Sequence, residues 1–130
     1  MLTYSIITAN YNSGTKLLTT VESVLSQDAK LELIIVDGGS TDESYALGHS
    51  YALVHNPRIR WQSEPDRGVY DAMNKGVRQA QGRYLLFLGA GDSLEPRVLS
   101  LVEKTLPLHD CALVYGDAYW NEDRYAGVFT

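Results

Sequence analysis

The sequence predicts an α/β domain, a mostly parallel sheet with helices on both faces. Three observations carry that prediction. Short apolar, β-rich runs alternate with helical stretches along the 130 residues. The runs end in turns rich in Asn, Asp, Gly and Ser. One stretch, Glu64 to Asp92, reads as turn, helix, strand and turn in direct succession.

Tyr4 to Ala9 is the first strand, followed by the turn formers Asn10-Tyr11-Asn12-Ser13-Gly14. Leu17, Leu18, Val21, Val24 and Leu25 then form a helical stripe, with Ser13 or Thr15 as its cap. Leu31 to Val36 is the second strand and ends in Asp37-Gly38-Gly39-Ser40-Thr41-Asp42. Ser40 or Thr41 caps the next helix, which ends between His49 and Leu53. Asn56-Pro57 marks a turn, and Arg58 to Gln62 is a third strand of weak pattern. Val69, Ala72, Met73, Gly76, Val77 and Ala80 make one apolar stripe at helical spacing, and Gly82 is placed to end that helix. Tyr84 to Leu88 reads as a buried strand, and the small turn Gly89-Ala90-Gly91 after it delivers one carboxylate, Asp92. Pro96 suits the first turn of a helix whose buried face is Val98, Leu99, Leu101 and Val102. Cys111 to Tyr115 is a fifth strand ending in Gly116-Asp117, and Tyr119 to Phe129 reads as a hairpin or an unfinished sheet.

Composition bounds the function. Hydrophobic residues make up 45% and charged residues 21%, the balance of a globular domain with one core. The formal charge of −5 disfavours nucleic acid and anionic membrane surfaces as partners. A single cysteine, Cys111, rules out an internal disulfide and a cysteine-based zinc cluster. No apolar run reaches the ~20 residues of a spanning helix, so the expected location is the cytoplasm, with any membrane contact peripheral, through a bound partner or segments beyond this chain. The chain stops at Gly127-Val128-Phe129-Thr130, in what reads as the middle of an element. Residues 1–130 are therefore expected to be one domain cut short at its C-terminus.

In a parallel sheet, the turns at Asn10, Asp37, Asp92 and Asp117 all fall on one edge. Ligands of open α/β sheets bind beyond the carboxyl ends of the strands. Carboxylates there suit a hard divalent cation with a diphosphate. The same residue types are also ordinary turn formers, which is the competing structural reading. There is no GxGxxG after the first strand and no GxxxxGK[ST], so a dinucleotide dehydrogenase and a P-loop enzyme are both disfavoured.

Four blocks resemble family 2 glycosyltransferases, in order and spacing. They are Ser5 to Asn12 (SIITANYN), Ile34 to Asp42 (IIVDGGSTD), Asp66 to Gly76 (DRGVYDAMNKG) and Ala80 to Asp92 (AQGRYLLFLGAGD). Each block alone is degenerate; four in order are specific. The resemblance implies the Rossmann-like GT-A fold, a nucleotide-diphosphate-sugar donor (a UDP-sugar), and inverting transfer to a glycan or lipid-linked acceptor hydroxyl, aided by Mn²⁺ or Mg²⁺. It implies that Ala9 and Tyr11 contact the base, that Asp37 hydrogen-bonds it, and that Asp66, Asp71 and Asn74 close the nucleotide pocket. Asp92 matches the carboxylate that reaches the metal. The pattern departs from the family at one place. The family motif has the form Asp-Ala-Asp-Asp, and here Gly89 and Gly91 stand at the two earlier acidic positions. The general base of the family is expected beyond residue 130. The alternative is a nucleotide-binding α/β module without catalysis.

Overall fold

The computed structural model describes residues 2–50, 57–104, 118–120 and 123–125. Four strands form one parallel sheet: β1 (Tyr4–Asn10), β2 (Leu31–Asp37), β3 (Ile59–Ser63) and β4 (Tyr84–Phe87), in the order β3-β2-β1-β4. Four helices accompany it: α1 (Lys16–Leu25), α2 (Glu43–Ser50), α3 (Val69–Gln79) and α4 (Val98–Glu103). In the tail, β5 (Ala118–Trp120) and β6 (Asp123–Tyr125) pair antiparallel, and the rest of the 119–129 stretch lies outside the described residues. The expected strand at 111–115 and Asp117 lie outside the described residues.

All seven residues of β2 are buried. That follows from its place in the sheet, because a parallel strand covered on both faces reads as one continuous apolar run. On one face Ile6, Leu33 and Ile35 pack with Leu17, Val21 and Val24 of α1 and with Leu99 of α4. On the other, Ile7, Ile34 and Val36 pack with Ala72 of α3. The chain runs outward from β1 to β3 and then returns to the far side of β1 as β4. The strand order therefore reverses between β1 and β4, which is where such sheets bind ligands.

Several local expectations are corrected. α2 begins at Glu43, and Asp42 rather than Ser40 or Thr41 accepts from its second amide, Ser44 N–H, at 3.0 Å. Thr15 precedes α1 but makes no side-chain cap, and the Ser13 hydroxyl turns back to Asn10 Oδ1. β4, the outer strand of the sheet among the described residues, is half-exposed, with Leu85 and Phe87 the exposed side chains. Pro96 lies just before α4, and Leu101 is exposed rather than buried. The α3 stripe is narrower than its pattern: Ala72 and Gly76 are buried, whereas Val69 and Val77 face outward.

Gly82 does not end α3, which stops at Gln79 with Ala80 extended. Its glycine serves a close approach to β1. The Gly82 N–H donates to Ser5 Oγ at 2.7 Å. A Cβ at this position would stand 2.5 Å from the Tyr4 carbonyl carbon and 2.6 Å from Ser5 N, both backbone atoms that cannot swing aside. Gly82→Ala is therefore expected to destabilise the domain by about 3 kcal/mol, at the upper end for overpacking. A urea unfolding midpoint within error of the parent would contradict this contact.

Candidate functional site

The carboxyl ends of β1 and β2 are tied together by side chains before any ligand is considered. Asn10, the last residue of β1, donates from Nδ2 to Asp37 Oδ1 at 2.7 Å and to Ser44 Oγ at 3.1 Å. Asn12 Oδ1 accepts from Thr41 N at 2.9 Å, and Asn12 N donates to Ser40 Oγ at 2.9 Å. The loops after the two strands thus form one rigid edge.

Asp37 is the hub of that edge. Its carboxylate is fully buried. Oδ1 accepts from Asn10 Nδ2 and from Ser40 Oγ at 2.5 Å. Oδ2 accepts from Ser63 Oγ at 2.7 Å, Ser40 N at 2.9 Å and Gly39 N at 3.1 Å. Burial pushes this carboxyl up, but the hydrogen bonds from Ser40, Ser63 and Asn10 outweigh it and hold it below its ordinary value. A carboxylate offers about four lone-pair sites, and these five bonds fill them.

Above this hub lies a cleft of about 610 Å³. Ala9, Asn10 and Tyr11 line it from the end of β1, and Gly38 from the end of β2. Pro65, Asp66, Gly68, Val69 and Ala72 line it from the loop before α3 and from the helix itself. Tyr11 is 65% exposed, so its ring is free to meet a planar ligand. Asp66 Oδ1 accepts from Gly68 N at 3.0 Å. Its Oδ2 lies 2.7 Å from where a Cβ on residue 38 would stand. Position 38 is thus a glycine whose missing side chain leaves room for the Asp66 carboxylate. A second concavity, about 670 Å³, lies at the opposite edge beside Leu2, Lys30 and Arg58. It lies at the amino ends of the strands and is lined by no carboxylate, so we assign it no role.

Of the residues expected at the site, Ala9, Tyr11 and Asp66 line the cleft, and Asp37, Asp71 and Asn74 do not. Asp71 orders the loop instead. Its Oδ2 accepts from Arg67 N at 2.9 Å, and that bond, with Lys75 nearby, holds its carboxyl low. Lys75 Nζ bridges Asp71 Oδ2 at 3.6 Å, Glu64 Oε1 at 3.0 Å and the Pro65 carbonyl at 3.2 Å. Asn74 is exposed on α3. Sequence reasoning did not name Asn10, Gly38, Pro65, Gly68, Val69 or Ala72 as lining residues; Asn10 and Gly38 sit in strand-end turns it singled out, and the other four in the loop before α3 and the first turn of that helix.

Asp92 is exposed at the end of the turn after β4, which is closed by Asp92 N–H donating to Gly89 O at 3.0 Å. No group of three metal-ligating side chains occurs among the described residues. One exposed carboxylate fits a hard cation whose remaining ligands are phosphate oxygens and water, the usual arrangement for Mg²⁺. Among the described residues, no helix is long and apolar enough to cross a membrane.

Comparison with known proteins agrees with this fold. The family model for glycosyl transferase family 2 matches residues 5–126. A PGL/p-HBAD biosynthesis glycosyltransferase of Mycobacterium tuberculosis is 40% identical over 97% of this chain and 51% of its own length. The uncharacterized glycosyltransferase YibD of Escherichia coli is 34% identical over 82% of the chain and 30% of its own length. The chain thus spans about half the length, or less, of these curated relatives. Among solved structures, Staphylococcus aureus TarS residues 1–349 in complex with UDP-GlcNAc superposes with a TM-score of 0.76 at 22% identity, over 83% of this chain and 32% of that one. The mannosyltransferase PcManGT of Pyrobaculum calidifontis, in complex with GDP-Man and Mn²⁺, gives 0.72 at 26% identity, over 81% and 32%. The sheet and its helices are those of the GT-A fold.

Proposed function

We propose that this chain, which belongs to glycosyl transferase family 2, forms the donor-binding part of an inverting glycosyltransferase that uses a UDP-sugar. The carrying observation is one strand-end cleft that brings together an exposed Tyr11 ring and an Asp66 carboxylate seated over Gly38. Asp92, at the end of the neighbouring strand β4, supplies a second carboxylate on the same edge. In this reading Tyr11 stacks on the base, with the Ala9 backbone beside it, and Asp66 Oδ2 accepts the imide N–H of uracil. Asp37 holds the floor beneath them rather than touching the base, because its oxygens are already fully engaged. Asp71 acts from outside the cleft, by holding the loop that carries Asp66 through its bond to Arg67 N.

Asp92 is the residue that would hold Mn²⁺ or Mg²⁺ together with the diphosphate. When bound, such a cation offsets charge on the leaving nucleoside diphosphate. In the transfer itself, the acceptor hydroxyl oxygen forms a bond to the anomeric carbon as the bond from that carbon to the diphosphate breaks. A general base takes the hydroxyl proton, and we assign it to sequence beyond this chain. The sugar is a hexose or N-acetylhexosamine, and the acceptor a glycan or lipid-linked hydroxyl in surface-polysaccharide or glycolipid assembly. Two observations on relatives favour this range: the UDP-GlcNAc complex of TarS and the PGL/p-HBAD pathway of the mycobacterial proteins.

Calorimetric titration with UDP, GDP and dTDP, each with and without Mn²⁺, tests the reading. UDP is expected to bind best. Asp66→Ala should erase the preference among bases and weaken UDP by about tenfold, the worth of one charge-assisted hydrogen bond. Unchanged selectivity in Asp66→Ala would return the base contact to another group, and failure of every nucleotide to bind would reject the donor site. A second reading, a nucleotide-binding module without catalysis, draws support from the glycines at 89 and 91, which leave Asp92 without the family's neighbouring acids.

A further inference from the structure

Thr20 sits where the amphipathic pattern of α1 calls for an apolar residue, yet it is fully buried. It heads a polar seam. Thr20, Ser23 and Gln27 follow one another at spacings of three and four, so they face one side of the helix and its exit. Each bonds backbone of the segment after β4. Ser23 Oγ accepts from Leu94 N at 3.1 Å. Gln27 Nε2 donates to Glu95 O at 2.9 Å, and its Oε1 accepts from Leu99 N at 3.2 Å. The seam exists because residues 88–97 have neither helix nor strand to satisfy their backbone groups.

Thr20 engages the turn that carries Asp92. Its hydroxyl accepts from Gly91 N at 2.8 Å and donates to Asp92 O at 2.6 Å, with Gly89 O at 3.3 Å as a weaker second acceptor. A hydroxyl has one hydrogen and two lone pairs, so one group fixes both flanks of Gly91. That residue has φ +102°, open to glycine and disfavoured for other residues, and glycine left alone is the least constrained backbone of all.

We propose that Thr20 is a positioning residue for the Asp92 carboxylate: it locks a glycine-rich turn so that this single carboxylate is already presented to a divalent cation shared with the donor diphosphate. The inference rests on the reading of Asp92 given above. A family-type acidic turn offers several ligands to choose from, whereas this one offers Asp92 alone, so its placement must be fixed in advance.

The test reads the ratio of UDP affinity with Mn²⁺ to affinity without it. Thr20→Val keeps the shape of the side chain and removes the hydroxyl. It is expected to lower that ratio by about tenfold while metal-free affinity stays within about twofold. Thr20→Ser should restore the ratio. Ser23→Ala, whose partner Leu94 lies beyond Asp92, should leave it unchanged. A merely structural role for Thr20 would weaken both affinities alike or only lower stability, and either result overturns the proposal. If Asp92→Ala abolishes the metal effect but Thr20→Val retains it, the positioning role alone falls. If Asp92→Ala retains the effect, or the parent shows none, the metal assignment falls and the inference with it. Should Thr20→Val fail to fold, Thr20→Cys, a weaker hydrogen-bonding group of similar size, decides by the same ratio: a reduced ratio supports the proposal and an unchanged one overturns it.

Discussion

Asp37→Ala is expected to destabilise the domain by about 4 kcal/mol, whereas Asp66→Ala changes stability by less than about 1 kcal/mol. The contrast follows from how the two carboxylates are held. Removing the Asp37 side chain strands the donors of Asn10, Ser40, Ser63 and Gly39 around a fully buried position. Each orphaned buried donor costs about 1–3 kcal/mol, and relaxation of the serine hydroxyls recovers only part of it. Asp66 accepts one backbone bond at the cleft wall and has solvent beside it. Paired urea titrations separate the two, and equal midpoints would mean that Asp37 is not the hub. The same network fixes a pH dependence. The Asp37 carboxyl is lower in the folded state than in the unfolded chain. Its contribution is therefore complete above the unfolded carboxylate value, near pH 4, and drains away as pH falls through the lower folded value. Acid unfolding should steepen below about pH 4 in the parent, and this portion of the slope should be missing from Asp37→Asn.

What could be read from the sequence divides by range. The alternation of strands and helices, the stripe on α1 and the gathering of the Asn10, Asp37 and Asp92 turns on one edge are local periodicities plus one topological rule, and they hold among the described residues. Asp37 shows where that stops. Its position at a strand end reads as a ligand residue, but its partners Asn10 and Ser63 come from 27 and 26 residues away, and only the folded sheet reveals that they fill it. Gly82 looks like a helix stop because the backbone it touches is Tyr4 and Ser5, 77 residues away in the hydrogen bond to Ser5. Thr20 went unread for a related reason. A helical stripe is found by its apolar members, and a buried hydroxyl within it interrupts the pattern until the backbone it serves is seen. Asp71 is the opposite case: its bond to Arg67 N and its contact with Lys75 both span four residues, so its ordering of the loop before α3 is a local interaction.

Gly89→Asp should raise the Mn²⁺-dependent affinity for UDP by about tenfold or more, and Gly91→Asp should not, although the resemblance places an acid at both positions. The backbone makes the difference. A Cβ at Gly89 would meet nothing but the Asp92 carboxylate, with Oδ2 at 3.1 Å and Cγ at 3.9 Å. An aspartate there stands beside Asp92 on an exposed turn, and two adjacent carboxylates repel each other until a cation binds between them. Without metal the variant should lose about 1 kcal/mol of stability to that repulsion. With Mn²⁺ and nucleotide it gains a second charged ligand. At Gly91 space is not limiting, since a Cβ would rest in ordinary contact with the Lys16 side chain at 3.6 Å. The obstacle is φ +102°, where a side chain costs about 1–3 kcal/mol. To relieve that strain the turn must rotate, which breaks the Gly91 N–H bond to Thr20 and displaces Asp92. Gly91→Asp is therefore expected to lower both stability and metal dependence. A gain at 91 without a gain at 89 would show that the turn adopts another conformation when it binds. A gain at 89 with no gain at 91 would mean that the chain keeps a working cation position that its sequence has reduced to one acid, and it would weigh against the module without catalysis.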